Sequence, residues 1–375
     1  MSKLRFGFPS LSQPATVVYG AGSSRVLADD PREAEFVYLT SAQPAVTTRL
    51  QGHFKTGGPA SGERWLPKPA GEPDWDMVQA GAEWLRPRLG RPLVAVGGGS
   101  VLDWARLCWA LAAGRLQESA GRLQVVPGEP VDLTLVPTTC ATGAEGAGVA
   151  VMVRAGAKVP VVSAAFVPRR VVLDARYLEG QSAGQLALWL CDALSHAIEG
   201  YCSLIPAYPA REFAASALSG ILSQWTEPAG VRCLDRVLEA SYFAGLAASH
   251  CSVGVIHAFA HSLAHWGVPH ALGNALGLLP GLAINANLPP LGELADRVGA
   301  GSVDGLRARV APIVAAALSA SDLQTARRVL GDAALREQLR RAMAGDACLR
   351  TNGQPLDEAA LERFLHAVEH GWNRT

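Results

Sequence analysis

The sequence predicts an α/β domain over residues 1–178 followed by an all-α domain over residues 179–375. Three observations predict it. Short β-rich runs alternate with helical stretches in the first half, strand signals stop near residue 179, and 375 residues, at roughly 100 to 200 per domain, leave room for two cores. In chain order the strands are Thr16 to Tyr19, Glu35 to Leu39, Leu93 to Val96, Thr134 to Val136, Val149 to Val153 and Arg170 to Leu173. Helical patterns lie at Trp75 to Leu89 and Val101 to Ala113. That rhythm implies a mostly parallel sheet with helices on its faces. Ser182 followed by Gln185 resembles a capping box and opens a helix with Leu186, Leu190 and Leu194 on one side. Alanine- and leucine-rich helical spacing then continues almost to Trp372.

Composition excludes several classes. With 33 basic and 33 acidic side chains the net charge is zero. That disfavours a nucleic-acid or anionic-membrane binder, since both require a basic excess. Seven cysteines without a CxxC, in a chain that is 49% hydrophobic, imply a reduced, cytoplasmic protein with no need of disulfides. MSKLRFGFPS contains no apolar signal-peptide core. The most apolar stretch, residues 271–291, is interrupted by Asn274, Pro280, Asn285 and Asn287, so it reads as buried core and not as a membrane span. The lysines are Lys3, Lys55, Lys68 and Lys158 alone; coding bias toward arginine explains most of this and leaves Lys158 alone in the last three hundred residues.

Two glycine-rich segments could receive a phosphate. GAGSSR at Gly20 to Arg25 is a weak dinucleotide-type signal, because Arg25 stands where a third glycine belongs; a turn after the first strand explains it as well. Gly97, Gly98, Gly99 and Ser100 are better placed, directly after the strand Leu93 to Val96 and before VLDWARLCWALAAG. Glycines let backbone N–H groups approach an anion, and the unpaired amides and dipole of a helix N-terminus favour negative charge. Ser100 and Asp103 form a capping-box-like pair. PTTCATGAEG, Pro137 to Gly146, follows another strand, where open α/β sheets bind ligands. Cys140 lies there without a neighbour in sequence to activate it, and reads as a buried structural thiol.

Five of nine histidines fall between residues 250 and 270. His257, His261 and His265 are successive i, i+4 neighbours, and on one helix they form a stripe. His270 follows Pro269, where a helix ends or bends, and can approach the same point. Asp192 and His196 make another i, i+4 pair within DALSHAIEGY. A carboxylate plus imidazoles from two helices suits a divalent metal such as iron(II) or zinc, and the lack of thiolates disfavours a structural zinc site. Spacing does not choose between His257 and His261 as a ligand. His366 and His370 share the spacing, but they fall outside the stripe Leu361, Phe364, Leu365 and Val368 and read as solvated.

GGGSVLDWAR, PTTCATGAEG, the lone lysine before VVLDAR, DALSHAIEGY, HAFAHSLAHWGVPHALGNALGLLP and TNGQPLDEAALERF, in this order along nearly the whole chain, resemble the iron-containing (group III) alcohol dehydrogenase family. The resemblance implies a Rossmann-like N-terminal nucleotide-binding domain and a helical C-terminal domain, the architecture shared with dehydroquinate synthase. It further implies a metal and a nicotinamide in the cleft between them, and a homodimer. Carried over by position, Asp192, His196, His257 and His270 are the metal ligands and His261 is a proton relay. The cofactor pyrophosphate falls on Gly97, Gly98, Gly99 and Ser100 with Asp103 close by; Thr138, Thr139 and Thr142 line the nucleotide, and Lys158 reaches its ribose.

There are departures from the family pattern. Ser41 in LTSAQ stands where the family often carries an aspartate, which opens NADP as well as NAD. DARYLEGQS replaces the usual linker, Leu190 and Cys191 replace a TG before DAL, and the step from His261 to His270 is slightly shorter. The implied activity is metal-dependent, NAD(P)-linked interconversion of a small alcohol and its aldehyde or ketone, with Fe2+ favoured over Zn2+. A maleylacetate-reductase-like enzyme is the alternative, opposed by Asp192. A 3-dehydroquinate-synthase-like lyase is opposed by the scarcity of lysine, and a non-catalytic metal or nucleotide sensor by two intact ligand sets.

Overall fold

A computed structural model of the chain describes residues 11–54, 63–119, 122–128, 131–154, 156–205, 207–228 and 231–371. Lys3, Lys55, Trp372 and the MSKLRFGFPS stretch lie outside the described residues. The chain divides into two compact units, Ser12–Thr139 with Gly143–Glu179, and Gly180 onward with Cys140–Thr142.

The first unit is an α/β unit. Its strands are β1 (Thr16–Tyr19), β2 (Val37–Ser41), β3 (Trp65–Lys68), β4 (Leu93–Gly97), β5 (Leu116–Ser119), β6 (Arg122–Val125), β7 (Leu133–Pro137), β8 (Val149–Arg154), β9 (Ala157–Val162) and β10 (Arg170–Leu173). Its helices are α1 (Arg25–Ala28), α2 (Pro44–Gln51), α3 (Trp75–Leu85) and α4 (Gly99–Ala112). Six strands form a parallel sheet in the order β1-β10-β7-β4-β2-β3. Every residue of β4 and β7 is buried. Along β4 the faces alternate: Leu93 and Ala95 join Leu102, Trp104 and Leu135 in one core, while Val94 and Val96 join Tyr38, Leu50 and Val172 in the other. A parallel sheet covered on both faces requires that continuous apolar run.

Three expectations need correction. Val149 to Val153 is not a strand of the sheet but one arm of the antiparallel hairpin β8–β9, which turns through Gly156 at φ +77°. The strand Trp65–Lys68 is absent from the expected set; it contains Pro67, and β3 lies at the sheet edge, where a missing N–H is tolerated. The helix from Trp75 ends at Leu85 and continues as the 3₁₀ turn Arg86–Arg88, because Pro87 cannot supply a helical N–H.

The second unit contains α5 (Ala183–Cys202), α6 (Tyr208–Thr226), α7 (Leu234–Cys251), α8 (Val255–Leu263), α9 (His270–Ile284), α10 (Pro289–Arg297), α11 (Val303–Ser319), α12 (Gln324–Gly331), α13 (Ala333–Gly345) and α14 (Glu358–Gly371). Ser182 caps α5 by accepting from Gln185 N–H at 3.1 Å, as the sequence motif predicts. Helix α5 is buried on most of its circumference and packs against α6, α7, α9 and α11. At Ser252, with φ +64°, the chain breaks and α8 leaves α7 at 98°. Helices α8 and α9 then approach closely: a Cβ on Gly273 would lie 2.8 Å from Ala260 Cα. Close approach carries the histidines of α8 to the first turn of α9. No single helix among the described residues is long and apolar enough to cross a membrane.

Candidate functional site

In the helical unit, one carboxylate oxygen is the focus of three imidazoles. Asp192 and His196 lie one turn apart on α5, His257 on α8, and His270 is the first residue of α9. Asp192 Oδ1 is 3.4 Å from His257 Nε2, 3.6 Å from His270 Nε2 and 3.9 Å from His196 Nε2. The rings of His196 and His257 stack with centroids 4.5 Å apart. Asn274, one turn into α9, donates to Asp192 Oδ1 at 2.7 Å. Glu199 lies on the same face of α5. Its Oε2 is 2.7 Å from His257 Nδ1, and its Oε1 accepts from Ile256 N–H at 2.6 Å.

The charges are strongly coupled. Burial acts to raise the Asp192 carboxyl, but the imidazoles of His196, His270 and His257 hold it well below the usual carboxylate range. Burial pushes His196 down to about 4. For His257, burial is outweighed by the carboxylates of Asp192 and Glu199, which raise it to about 9. Two buried carboxylates around one imidazole thus call for positive charge.

The donors fit a divalent metal. Ligand atoms of Asp192, His196 and His257 lie within 4.8 Å of one another. His257 Nε2 is buried without a well-formed hydrogen bond, while Glu199 against Nδ1 favours the tautomer that leaves the Nε2 lone pair available. A nitrogen-rich set with one carboxylate suits iron(II) and zinc alike.

Four other histidines are placed differently. His261 lies one turn beyond His257, with its ring stacked on His270 at 5.2 Å, and its Nδ1 is 3.2 Å from Asp346 Oδ2. The stripe of three ends there: α8 gives way to a 3₁₀ turn, and His265 Nδ1 bonds to Ser262 O instead. His366 and His370 are exposed, as their position outside the apolar stripe predicts.

In the α/β unit, parallel register brings residues distant in sequence to one end of the sheet. Thr40 pairs with Val96, and Gly97 with Pro137, so Ser41, the Gly97–Ser100 turn and Thr138 share the C-terminal ends of adjacent strands. The winding direction reverses between β2 and β4, the position where open α/β sheets bind ligands. Gly98 is the N-cap of α4, and the amides of Gly99 and Ser100 precede the first bonded N–H, that of Val101, which donates to Gly98 O at 2.9 Å. A Cβ on Gly97 would lie 2.5 Å from Val101 Cβ, and one on Gly98 would lie 3.2 Å from Thr139 Cγ2. Gly99 and Ser100 form the first turn. Thr142 belongs to the short segment that groups with the helical unit.

The pairing expected of Ser100 with Asp103 does not form, since α4 has no side-chain cap. Asp103 instead accepts from Val151 N–H at 3.1 Å and from the buried Arg106 at 3.4 Å. Arg106 also donates to the carbonyls of Ala144, Ala147 and Phe166; this buried cation needs a nearby anion. Burial nevertheless raises the Asp103 carboxyl to about 6. Lys158, on β9, pairs with Glu72 at 3.0 Å, and Ser41 Oγ accepts from Gln43 N–H at 3.2 Å. In GAGSSR, Gly22 and Ser24 N–H groups bond to Asp174 at 2.7 and 3.1 Å, so a carboxylate of the chain itself fills that turn.

Glu199, Asn274, Asp346 and Cys348 are the neighbours that sequence reading missed. Glu199 was detectable, three residues after His196 in DALSHAIEGY. Asp346 and Cys348 were not, because 85 residues or more separate them from His261.

A parallel α/β unit with a glycine turn at the C-terminal ends of its strands and a helical unit with a histidine–carboxylate centre are the two parts of the molecule. The chain belongs to the iron-containing alcohol dehydrogenase family, whose "Iron-containing alcohol dehydrogenase" part matches residues 14–175 and whose "Fe-containing alcohol dehydrogenase family, C-terminal" part matches residues 190–368. It is 34% identical to "Probable alcohol dehydrogenase EutG" of Escherichia coli (strain K12) over 57% of this chain and 56% of that protein. The alignment therefore spans little more than half the length of that relative. An iron-containing alcohol dehydrogenase from Thermococcus thioreducens superposes with a TM-score of 0.79 at 21% identity, covering 96% of this chain and 100% of that one. A sulfoacetaldehyde reductase from Bifidobacterium kashiwanohense, solved in complex with NAD+, superposes with a TM-score of 0.79 at 22% identity, covering 96% and 99%.

Proposed function

We propose that the protein is a metal-dependent, NAD(P)-linked dehydrogenase interconverting a small alcohol with its aldehyde or ketone. The observation that carries this reading is the convergence of three imidazole Nε2 atoms on Asp192 Oδ1 at 3.4 to 3.9 Å. Family membership favours iron over zinc and supports NAD; Ser41, in place of a carboxylate, leaves room for a 2'-phosphate and thus for NADP.

When bound, the divalent ion supplies Lewis-acid chemistry and the nicotinamide supplies the hydride acceptor or donor. Asp192, His196, His257 and His270 would hold the ion. Asn274 fixes the orientation of Asp192, and Glu199 that of His257. Gly97 to Ser100 would receive the pyrophosphate at the start of α4, Thr138 and Thr139 would border the nucleotide, and Lys158 would serve its ribose. His261 moves the proton of the substrate hydroxyl toward solvent. Its side chain is 29% exposed, enough to exchange protons with water while Asp346 anchors the ring.

The test is His257→Ala. Loss of bound metal together with loss of NAD(P)H-linked turnover over short alcohols and aldehydes is the expected result. Full metal content with full activity would refute the assignment.

A further inference from the structure

His261, Asp346 and Cys348 form a second group of donors that the four-residue centre does not use. Their ligand atoms lie within 4.8 Å of one another. His261 Nδ1 is 3.2 Å from Asp346 Oδ2 and 3.8 Å from Cys348 Sγ. A tetrahedral zinc ion, with bonds of about 2.0 Å to nitrogen and oxygen and about 2.3 Å to sulfur, requires N···O and N···S edges of roughly 3.3 and 3.5 Å. The observed edges are close to both.

Local structure holds the three donors in place. Asp346 caps the 3₁₀ turn Ala347–Thr351, with Oδ1 accepting from Cys348 N–H at 2.7 Å. The cap leaves Oδ2 facing His261 and fixes the thiol two residues on. His261 is held on α8 by its own helix. The side chains of His261 and Asp346 are 29% and 17% exposed, so an ion can enter and water can complete its coordination.

We propose that His261, Asp346 and Cys348 constitute a second cation site, selective for a thiophilic divalent ion such as Zn2+, whose occupation immobilises His261. Binding breaks the Cys348 Sγ–H bond and releases that proton to solvent. The imidazole stays neutral, with its proton on Nε2 and its Nδ1 lone pair on the ion. One thiolate and one carboxylate then balance the two charges of the ion. Burial and the Asp346 carboxylate otherwise keep this thiol protonated, so the cation itself is what creates the thiolate. The consequence for turnover rests on the relay role proposed for His261; the binding itself does not.

Cobalt(II) is the probe, because a thiolate ligand adds an intense near-ultraviolet charge-transfer band and the first centre contains no sulfur. Metal-loaded protein titrated anaerobically with Co2+ should develop that band. Cys348→Ser should abolish it, and Asp346→Asn should weaken Co2+ binding at least about tenfold. Zn2+ should inhibit wild-type turnover at concentrations at least about tenfold lower than those needed with Cys348→Ser, each compared with its own zinc-free rate. No band, or a band that survives in Cys348→Ser, would overturn the site. A Cys348-dependent band without inhibition would uphold the site and overturn the relay assigned to His261.

Discussion

Glu199 shows how much of the candidate centre depends on a residue that does not face its focus. Its two oxygens bond to different elements of the α8 entry, His257 Nδ1 at 2.7 Å and Ile256 N–H at 2.6 Å, so one carboxylate sets both the ring and the start of the helix that carries it. Glu199→Gln keeps the size but removes the charge that favours the Nδ1–H tautomer. Metal affinity, measured by chelator competition, should fall about 10- to 100-fold, as it does when partners of metal-bound histidines are removed, while Asp192 and His196 stay in place. Unchanged affinity would show that the α5 and α9 donors suffice. The DALSHAIEGY segment exposes Asp192, His196 and Glu199 to a reader of the sequence, since their spacing of four and three puts them on one helical face. Nothing in sequence pairs Asp346 with His261, because their 3.2 Å contact depends on how α8 and the end of α13 pack.

Between helices, the centre depends on small residues. Gly273 of α9 faces Ala260 of α8, and a Cβ there would lie 2.8 Å from Ala260 Cα and 2.9 Å from Ala260 Cβ. Backbone cannot yield as a flexible side chain can, so Gly273→Ala should force the two helices apart. The expected cost is about 1–3 kcal/mol, as for overpacked cores, read by urea denaturation. Metal content should fall with it, because His270 begins α9 while His257 sits on α8. Full stability together with full metal content would show that the helices do not need this approach. Sequence periodicity identifies α8 and α9 as apolar helices, but it is blind to which faces meet. Likewise β8 carries the same alternating signal as a sheet strand; only its antiparallel pairing with β9 distinguishes a hairpin arm.

The acid stability of the molecule should reflect the α/β unit, where Asp174 ties the end of β10 to the turn after β1. The side chain is buried and accepts from Gly22, Ser24 and Arg176 N–H groups at 2.7, 3.1 and 3.1 Å. Burial acts to raise its pKa, but these bonds outweigh burial and place it below the ordinary 3.8. A carboxyl with a folded pKa below its unfolded one contributes stability above the unfolded value and loses it as pH falls through the folded one. Asp174→Ala should therefore cost about 1–3 kcal/mol near pH 7. It should also flatten the loss of stability below pH 4, seen in urea midpoints at pH 7 and pH 3. Equal slopes in variant and wild type would refute the linkage.

The two-part organisation of the chain, its strand runs, the glycine turn before α4 and the i, i+4 spacing of Asp192 with His196 and of His257 with His261 are visible in sequence, because each follows from local periodicity or from a residue type confined to few conformations. The meeting of α5, α8 and α9 at Asp192 Oδ1, the partners Glu199 and Asn274, and the donor group around Cys348 arise from packing. Packing joins residues tens of positions apart through shape and burial, which no local pattern encodes.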